Sequence, residues 1–151
     1  MPQSLAHLGL HIVFSTKGRK RWLQAPVLRG HLNAYVAGVL RGHKCPAVIV
    51  GGTDDHLHFL CQLSRTLTVA DLVKITKRAA TLWVREQGRE YGGFQWQGGY
   101  GAFSVSASNM DRVRTYIANQ EAHHQKMGFQ DEFRRLLGRH KIEYDEEYVW
   151  D

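Results

Sequence analysis

The 151-residue chain has few of the features that mark secreted or membrane proteins. Its only two cysteines, Cys45 and Cys61, form no C-x-x-C motif and stand among apolar residues, so we expect reduced, structural thiols in a cytoplasmic protein. No apolar run is long enough for a transmembrane helix. The first Lys or Arg is Lys17, so the basic start of a signal peptide is missing. We therefore expect no membrane partner.

Acidic residues are scarce in the first part of the chain. Residues 1–90 hold 13 Lys and Arg against 5 Asp and Glu, whereas residues 91–151 hold 7 against 9, and the net charge is +6. A basic body suits a polyanionic partner, most simply nucleic acid, although positive charge is also a common solubility device. The length and the hydrophobic content of 43% fit one globular domain over residues 1–151.

The apolar patterns predict the order β, α, β, β, α, β, followed by further helices. The predicted strands cover residues 8–14, 47–50, 56–63 and about 102–105. This order is typical of a ferredoxin-like or RRM-like α+β fold, in which helices cover one face of an antiparallel sheet. We expect the opposite face or an edge of the sheet to be available to a partner.

Several residues mark the predicted helix ends. Pro26 suits the first position of a helix. Thr68 and Ser108 each stand three residues before an aspartate, a pattern that resembles the capping box at a helix start. Gly128 is typical of the residue that ends a helix, and a short further helix is predicted over 129–137.

Two histidines, His56 and His58, alternate with Leu57 and Phe59 in the third predicted strand. Residues two apart in a strand share a face, so both imidazoles project together while Leu57 and Phe59 face a core. Neutral histidine is the commonest metal ligand, and the pair is therefore half of a candidate metal site. The alternative is two surface histidines without a ligand.

A second polar group stands on the predicted helix after residue 108. Tyr116 and Gln120 are four apart and rise from one helix face; His123 falls near that face, and His124 points to another side. An amide oxygen and two imidazoles can hold a divalent cation that also binds a phosphate oxygen. Tyr116 is then a candidate nucleophile on phosphorus. Its phenol would need help from a Lewis acid, because its ordinary pKa is about 10.

Together these motifs resemble the single-tyrosine HUH transposases of bacterial insertion sequences, where U is a bulky apolar residue. This IS200-like superfamily includes the REP-associated tyrosine transposases. The resemblance extends over nearly the whole chain. It rests on Phe14-Ser15-Thr16-Lys17, Asp55-His56-Leu57-His58, Trp96-Gln97-Gly98-Gly99-Tyr100-Gly101 and Tyr116-Ile117-Ala118-Asn119-Gln120-Glu121-Ala122-His123-His124.

The resemblance implies a transposase that cuts and rejoins single-stranded DNA with hairpin ends through a 5′-phosphotyrosine intermediate. By position it implies that His56, His58 and Gln120 bind Mg²⁺ or Mn²⁺ and that Tyr116 is the catalytic nucleophile. It also implies a homodimer, favours action of Tyr116 in the partner's site, and places the protein in the bacterial cytoplasm at the nucleoid.

Basic and aromatic residues elsewhere are candidate DNA contacts. For the basic residues the alternative is an ordinary solvated surface, and for the aromatic residues it is a place in the core. The candidates are Lys17, Arg19, Lys20, Arg21, Lys74, Lys77, Arg78, Trp96 and Tyr100.

Other functions stay open at this point. The chain could be a non-catalytic nucleic-acid-binding module on an RRM-like fold, or a metal-dependent phosphodiesterase in which water attacks. Among transposase relatives, a chromosomal enzyme that processes repeated palindromes is the closest rival to an enzyme of a mobile element.

Overall fold

A four-stranded antiparallel sheet forms the centre of the protein, in a computed structural model that describes residues 2–151. Its strand order is β2-β3-β1-β4, so that β3 and β1 are central and β2 and β4 are edges. The strands are β1 (Gly9–Ser15), β2 (Ala47–Gly52), β3 (His56–Gln62) and β4 (Gly101–Val105). The predicted α+β fold and its strand order along the chain are confirmed.

Five α-helices cover the sheet. The long helices are α1 (Pro26–Gly42) and α2 (Val69–Arg85), and the C-terminal helices are α3 (Met110–Ala118), α4 (Gln120–His124) and α5 (Phe129–Arg139). Short 3-10 turns lie at Lys17–Arg19, Arg89–Tyr91 and Ala107–Asn109. Over residues 2–151, no helix combines the length and apolar character needed to cross a membrane.

Alternate residues of β3 lie on opposite faces of the sheet, as the sequence pattern predicts. Leu57 and Phe59 belong to a core formed with α1 and α2. His56, His58 and Leu60 point to the other face, where Leu60 packs with Ile117 of α3. The C-terminal helices therefore cover the opposite face of the sheet, so that face is not available to a partner; availability of an edge stays a prediction.

Two glycines let the C-terminal helices approach the sheet closely. A Cβ atom on Gly51 of β2 would lie 3.0 Å from Cγ2 of Ile117 in α3. A Cβ atom on Gly101 of β4 would lie 2.7 Å from Cε2 of Phe133 in α5. Side chains at these two positions would push α3 and α5 outwards.

The helix ends follow the predictions only in part. Pro26 begins α1, and the Thr68 hydroxyl caps α2 by accepting a hydrogen bond at 3.1 Å from the backbone N–H three residues later. Ser108 is not a cap, because it lies in a 3-10 turn that precedes α3. Gly128 does not end a helix either; it is the residue that immediately precedes α5.

Candidate active site

The two histidines of β3 are fully buried between the sheet and the C-terminal helices. His56 pairs with Ser15 of β1 in the strand register, and His58 pairs with Val13. The ring centroids of the two histidines are 5.1 Å apart. Two imidazoles that are held by a central strand and shielded from water form a rigid pair of nitrogen ligands.

Asp55 fixes the orientation of the His56 ring. Its Oδ1 lies 2.7 Å from His56 Nδ1, and the Thr53 hydroxyl lies 3.0 Å from the same nitrogen. Burial raises the pKa of Asp55, but hydrogen bonding and charge interaction with His56 outweigh it and hold the pKa below its ordinary value. An ionised Asp55 requires a proton on His56 Nδ1, so a neutral His56 has its lone pair on Nε2, towards the C-terminal helices.

His58 lies between a histidine and a carboxylate. Its Nδ1 is 2.8 Å from Nε2 of the buried His11 in β1, and its Nε2 is 3.1 Å from Oε1 of Glu132 in α5. Burial lowers the pKa of His58 to about 4, although the hydrogen bond and charge of Glu132 oppose the shift. His58 is therefore neutral at pH 7 and can act as a metal ligand.

The Glu132 carboxylate is the centre of the site. Its Oε1 lies 3.1 Å from Nε2 of His124 and 3.5 Å from Nε2 of His56, in addition to its contact with His58. Burial raises the pKa of Glu132, but hydrogen bonds from His124 and His58 and the charges of the histidines dominate and hold it well below its usual range. Glu132 is thus a buried carboxylate, and the sequence analysis missed it.

One signal in the sequence could have found Glu132. The apolar stripe of α5 contains Phe129, Phe133 and Leu136, and Glu132 falls within that stripe. A charged residue on the buried face of an amphipathic helix needs a partner, because burying an unpaired charge is unfavourable. This pattern indicates a role in a site, although it does not name the partner.

Tyr116 lies on the opposite side of the same carboxylate. Its hydroxyl donates a hydrogen bond to Glu132 Oε2, and Gln120 Nε2 donates to the same oxygen at 3.0 Å. Burial, together with the charge and hydrogen bond of Glu132, raises the pKa of Tyr116 well above its ordinary value. Tyr116 is therefore a neutral phenol, with a proton acceptor already in contact.

The predicted helix that carries Tyr116 and Gln120 is broken between them. Asn119 has non-helical angles (φ −99°, ψ 21°), so Tyr116 belongs to α3 and Gln120 to α4. His123 packs on the Tyr116 ring with centroids 4.9 Å apart, and His124 lies 4.3 Å from the His56 ring. The break thus brings His124 into the site, although a continuous helix would have pointed it to another side.

The donor atoms could hold a metal ion. One atom each from His56, His58 and Glu132 lies within 4.8 Å of the others, and all three residues are buried. Gln120 Oε1 faces His56 Nε2 at 3.0 Å. If Asp55 keeps the His56 proton on Nδ1, His56 Nε2 and Gln120 Oε1 are both acceptors and cannot hydrogen-bond to each other. A cation bound by both atoms would satisfy them. Two imidazoles with a carboxylate form a recognised set for divalent metals.

Tyr116 and the two histidines of β3 meet within a single chain, because the Tyr116 hydroxyl and His58 Nε2 contact the same Glu132 carboxylate. The resemblance favours action of Tyr116 in the site of a partner. The intrachain contact is instead the geometry that action in cis requires.

The predicted DNA contacts do not converge on this site. A separate groove of about 1060 Å³ is bordered by five of them together with Arg85, Trp150 and Asp151. The five are Lys17, Arg19, Lys77, Arg78 and Trp96. Lys20 instead lies over the Trp22 ring, Arg21 pairs with Asp54 at 2.5 Å, and Lys74 and Tyr100 border neither this groove nor the buried carboxylate.

Two of these candidates already have contacts within the protein. Lys77 Nζ donates to the carbonyl oxygens of Gln97 at 2.8 Å and of Gly99 at 2.7 Å, and burial lowers its pKa to about 8. Trp96 is 8% exposed, and its ring packs edge-on against Phe14 in the core. This packing favours the alternative that Trp96 is a core residue, and its stacking on bases stays a prediction.

Comparisons with known proteins identify the family. The family model described as "Transposase IS200 like" matches residues 4–120, which include the two β3 histidines, Tyr116 and Gln120 and end before Glu132. The match covers most of the chain and shows that the chain belongs to this family. No curated protein matches the chain.

Two solved structures share the fold. One, titled a transposase candidate from Deinococcus radiodurans R1, has 21% identity and a TM-score of 0.60, and the match covers 80% of this chain and 95% of that one. The other, a REP-associated tyrosine transposase bound to a REP hairpin, has 13% identity and a TM-score of 0.54, with 85% and 76% covered.

Proposed function

We propose that this IS200-like transposase cuts and rejoins single-stranded DNA, with Tyr116 as the nucleophile that forms a 5′-phosphotyrosine link. The observation that carries the proposal is the contact of the Tyr116 hydroxyl with Glu132, whose other oxygen faces His58 and His124. A binding module without catalysis gives no reason to bury a carboxylate, a phenol and three imidazoles together. A phosphoryl-transfer site can use each of them, as nucleophile, proton acceptor or metal ligand.

The proposed cutting step involves Tyr116, Glu132 and one water molecule. The Tyr116 oxygen attacks phosphorus, its bond to phosphorus forms, and the bond from phosphorus to the 3′-oxygen breaks. The phenolic proton passes to Glu132 Oε2, to which the hydroxyl already donates. The departing 3′-oxygen takes a proton from water. Because the pKa of Tyr116 is raised, its proton leaves during the attack rather than before it.

Rejoining reverses this step. The 3′-hydroxyl of another strand attacks the phosphotyrosine phosphorus and releases its proton to water. Its oxygen–phosphorus bond forms, the bond from phosphorus to the Tyr116 oxygen breaks, and Glu132 returns the proton to that oxygen. The ester keeps the free energy of the phosphodiester bond, so no nucleotide cofactor is required. Glu132 serves both directions because its carboxylate stays in contact with the tyrosine.

We propose that His56, His58 and Glu132 hold Mg²⁺ or Mn²⁺, with Gln120 as a further ligand. The bound cation would supply Lewis-acid polarisation of the phosphate. Imidazole nitrogen suits Mn²⁺ better than Mg²⁺, which prefers oxygen ligands, so this donor set favours Mn²⁺. The role of His124, which contacts the same Glu132 oxygen as His58, is to orient that carboxylate.

The proposed DNA partner is a single strand with hairpin ends, a proposal supported by the relative that is bound to a REP hairpin. The basic groove beside Lys17, Arg19 and Arg78 has the charge to bind a phosphate backbone. Action on cellular DNA places the protein in the cytoplasm at the nucleoid. A homodimer stays a prediction from the family resemblance.

The test is to trap the covalent intermediate. The wild-type protein, incubated with Mn²⁺ and hairpin-containing single strands, should form an adduct that resists SDS. Tyr116→Phe should form none and should bind the hairpin with nearly unchanged affinity, because only the attacking oxygen is lost. An adduct formed by Tyr116→Phe would exclude Tyr116 as the nucleophile. Cleavage to free 5′-phosphate without any adduct would favour the water-dependent phosphodiesterase.

A further inference from the structure

A cleft of about 270 Å³ opens beside Tyr116 and contains the groups that could receive a substrate phosphate. Since one water molecule occupies about 30 Å³, the space suits a phosphate with its sugar rather than a duplex. Its lining includes Tyr116, the carboxylate of Glu132, two histidines and the cations Lys126, Arg135 and Arg139. No role has so far been assigned to the three cations in this set.

The attacking oxygen faces this cleft. A second cleft, of about 350 Å³, is also bordered by Tyr116 and Arg139. Glu132 borders only the first cleft, and the Tyr116 hydroxyl points to Glu132. A phosphorus atom attacked by Tyr116 must therefore come from the first cleft.

The cations of this cleft lack anionic partners in the protein. Glu132 is the only acidic residue in its lining, and its carboxylate is already bonded to the tyrosine and the histidines. Arg135 and Arg139 are exposed, and among residues 2–151 neither they nor Lys126 form an ion pair. Three free cations around one bonded carboxylate leave an excess of positive charge.

The two arginines are aligned with Glu132 along α5. Positions 132, 135 and 139 follow one another at the three- and four-residue spacing of a single helix face. Arg139 and Tyr116 also border both clefts together. The helix thus presents guanidinium groups directly beside the nucleophile.

We propose that Arg139, assisted by Arg135 and Lys126, binds the phosphodiester that Tyr116 attacks. The proposal rests on the proposed function, since it concerns the same phosphate. A guanidinium group can donate two parallel hydrogen bonds to the two non-bridging oxygens of a phosphodiester. It would hold phosphorus in front of the tyrosine and stabilise the charge on those oxygens as the new bond forms.

The kinetic test uses a small diester that needs no hairpin. Thymidine 5′-(p-nitrophenyl phosphate) carries the 5′-phosphate that would become attached to Tyr116, and attack releases p-nitrophenolate. With Mn²⁺ the wild-type protein should release a burst of nitrophenolate. Arg139→Ala should slow the burst at least about tenfold, the effect of losing one hydrogen bond to a charged group.

The control is Arg114→Ala, which removes the same charge from an exposed position of α3 that borders neither cleft. It should react like the wild-type protein. If Arg139→Ala also does, the proposal is wrong although Tyr116 chemistry stands. An equal loss in both variants would show a general charge effect and would likewise overturn the proposal.

A binding measurement separates this proposal from the covalent chemistry. Phosphorus NMR in Mg²⁺ can follow the same diester as it binds to Tyr116→Phe, with and without Arg139→Ala. Binding that weakens about tenfold with Arg139→Ala supports the phosphate contact. If this occurs while the wild-type protein shows no burst, the phosphate contact stands and only the proposed function fails. Absence of binding to Tyr116→Phe, or equal binding to both variants, overturns the phosphate contact.

Discussion

Tyr116 donates a hydrogen bond to Oε2 of Glu132, sixteen residues further along the chain, while Oε1 of that carboxylate lies 3.1 Å from His58. The two carboxylate oxygens thus face different partners. One can accept the proton of the nucleophile, and the other belongs to the set that could hold a metal ion. This arrangement couples nucleophile and ligands through one side chain, so substitutions at Glu132 should affect both.

The first prediction concerns how α3 docks on the sheet. Gly51→Ala places a Cβ atom 3.0 Å from Cγ2 of Ile117 and 3.1 Å from its carbonyl oxygen, so α3 must move outwards. We expect a loss of about 1–2 kcal/mol in the free energy of unfolding, typical of overpacking, and slower adduct formation, because Tyr116 moves with α3. Urea unfolding and adduct assays can measure both effects.

Gly30→Ala is the matched control for Gly51→Ala. Gly30 is exposed on α1, and an added Cβ atom would meet no atom within 4 Å. Alanine should stabilise this helical position by about 0.5–1 kcal/mol, without an effect on the adduct. Equal stability of the Gly51→Ala and wild-type proteins would mean that α3 is not closely docked at this point.

Local sequence patterns predicted the elements and the faces of the sheet. The alternation of His56 and His58 with Leu57 and Phe59 correctly predicted which residues lie on each face of the sheet. Strand geometry alone places successive side chains on opposite faces. Thr68 was predicted as a cap from the spacing of two residues, and its hydrogen bond confirms it. Such features depend on neighbours in the sequence and can be read without knowing the fold.

The features that the sequence did not predict depend on how distant elements dock. Neither proline nor glycine marks the break at Asn119; it occurs where α3 and α4 dock on β2. The partners of Glu132 could not be assigned because His58 lies 74 residues away. Only the position of α5 on the sheet brings them together, and no local periodicity specifies that position.

A second prediction is that acid destabilises the metal-free protein. The pKa of His58 is about 4 in the folded chain and 6.5 ordinarily, so the unfolded chain binds more protons between these values. Stability present above pH 6.5 is lost as the pH falls towards 4. Burial likewise lowers the pKa of His11, with the same sign. When the pH falls from about 7 to about 5, we expect the free energy of unfolding to decrease by as much as about 2 kcal/mol.

Urea unfolding in the presence of a chelator can measure this dependence. His58→Asn should flatten it, because the titrating group is removed. His43→Asn, at an exposed histidine after α1, should leave it unchanged. A wild-type protein that is equally stable at both pH values would contradict a neutral, buried His58.

A third prediction is that Tyr116 acts in its own chain. We expect that a mixture of Tyr116→Phe and His58→Ala remains inactive, because the intrachain contact gives neither chain a complete site. Mixtures of each variant with the wild-type protein control for interference. Recovery of the adduct in the mixture of the two variants would instead assign action in trans and require a dimer.

A fourth prediction concerns the basic groove. Arg78→Ala should flatten the dependence of log affinity for single-stranded DNA on log salt by about 0.7, if Arg78 neutralises one phosphate. Arg65→Ala, in the loop after β3 and outside the groove, should have a smaller effect. Binding that does not respond to salt would count against a backbone contact in the groove.

The last prediction ranks the metal ligands. Calorimetry with Mn²⁺ should detect one site in the wild-type protein, and His56→Ala or His58→Ala should abolish it, because each removes a buried nitrogen ligand. Glu132→Gln should weaken Mn²⁺ binding more than Gln120→Ala, since it removes a negative charge as well as a ligand atom. Gln120→Ala should depress cleavage, with partial rescue at high Mn²⁺. Binding of Mg²⁺ should be weaker than that of Mn²⁺.

Glu121→Gln is the control for charge removal at Glu132. Glu121 lies on α4, is exposed and pairs with Arg29, so its substitution should leave Mn²⁺ affinity unchanged. If Glu132→Gln binds Mn²⁺ like the wild-type protein while Gln120→Ala does not, the third ligand is the amide that the family resemblance implies. If both retain binding and His124→Ala loses it, the third ligand is His124. Either result would leave Glu132 with one role, that of accepting the proton of Tyr116, because its Oε1 would then bind no metal.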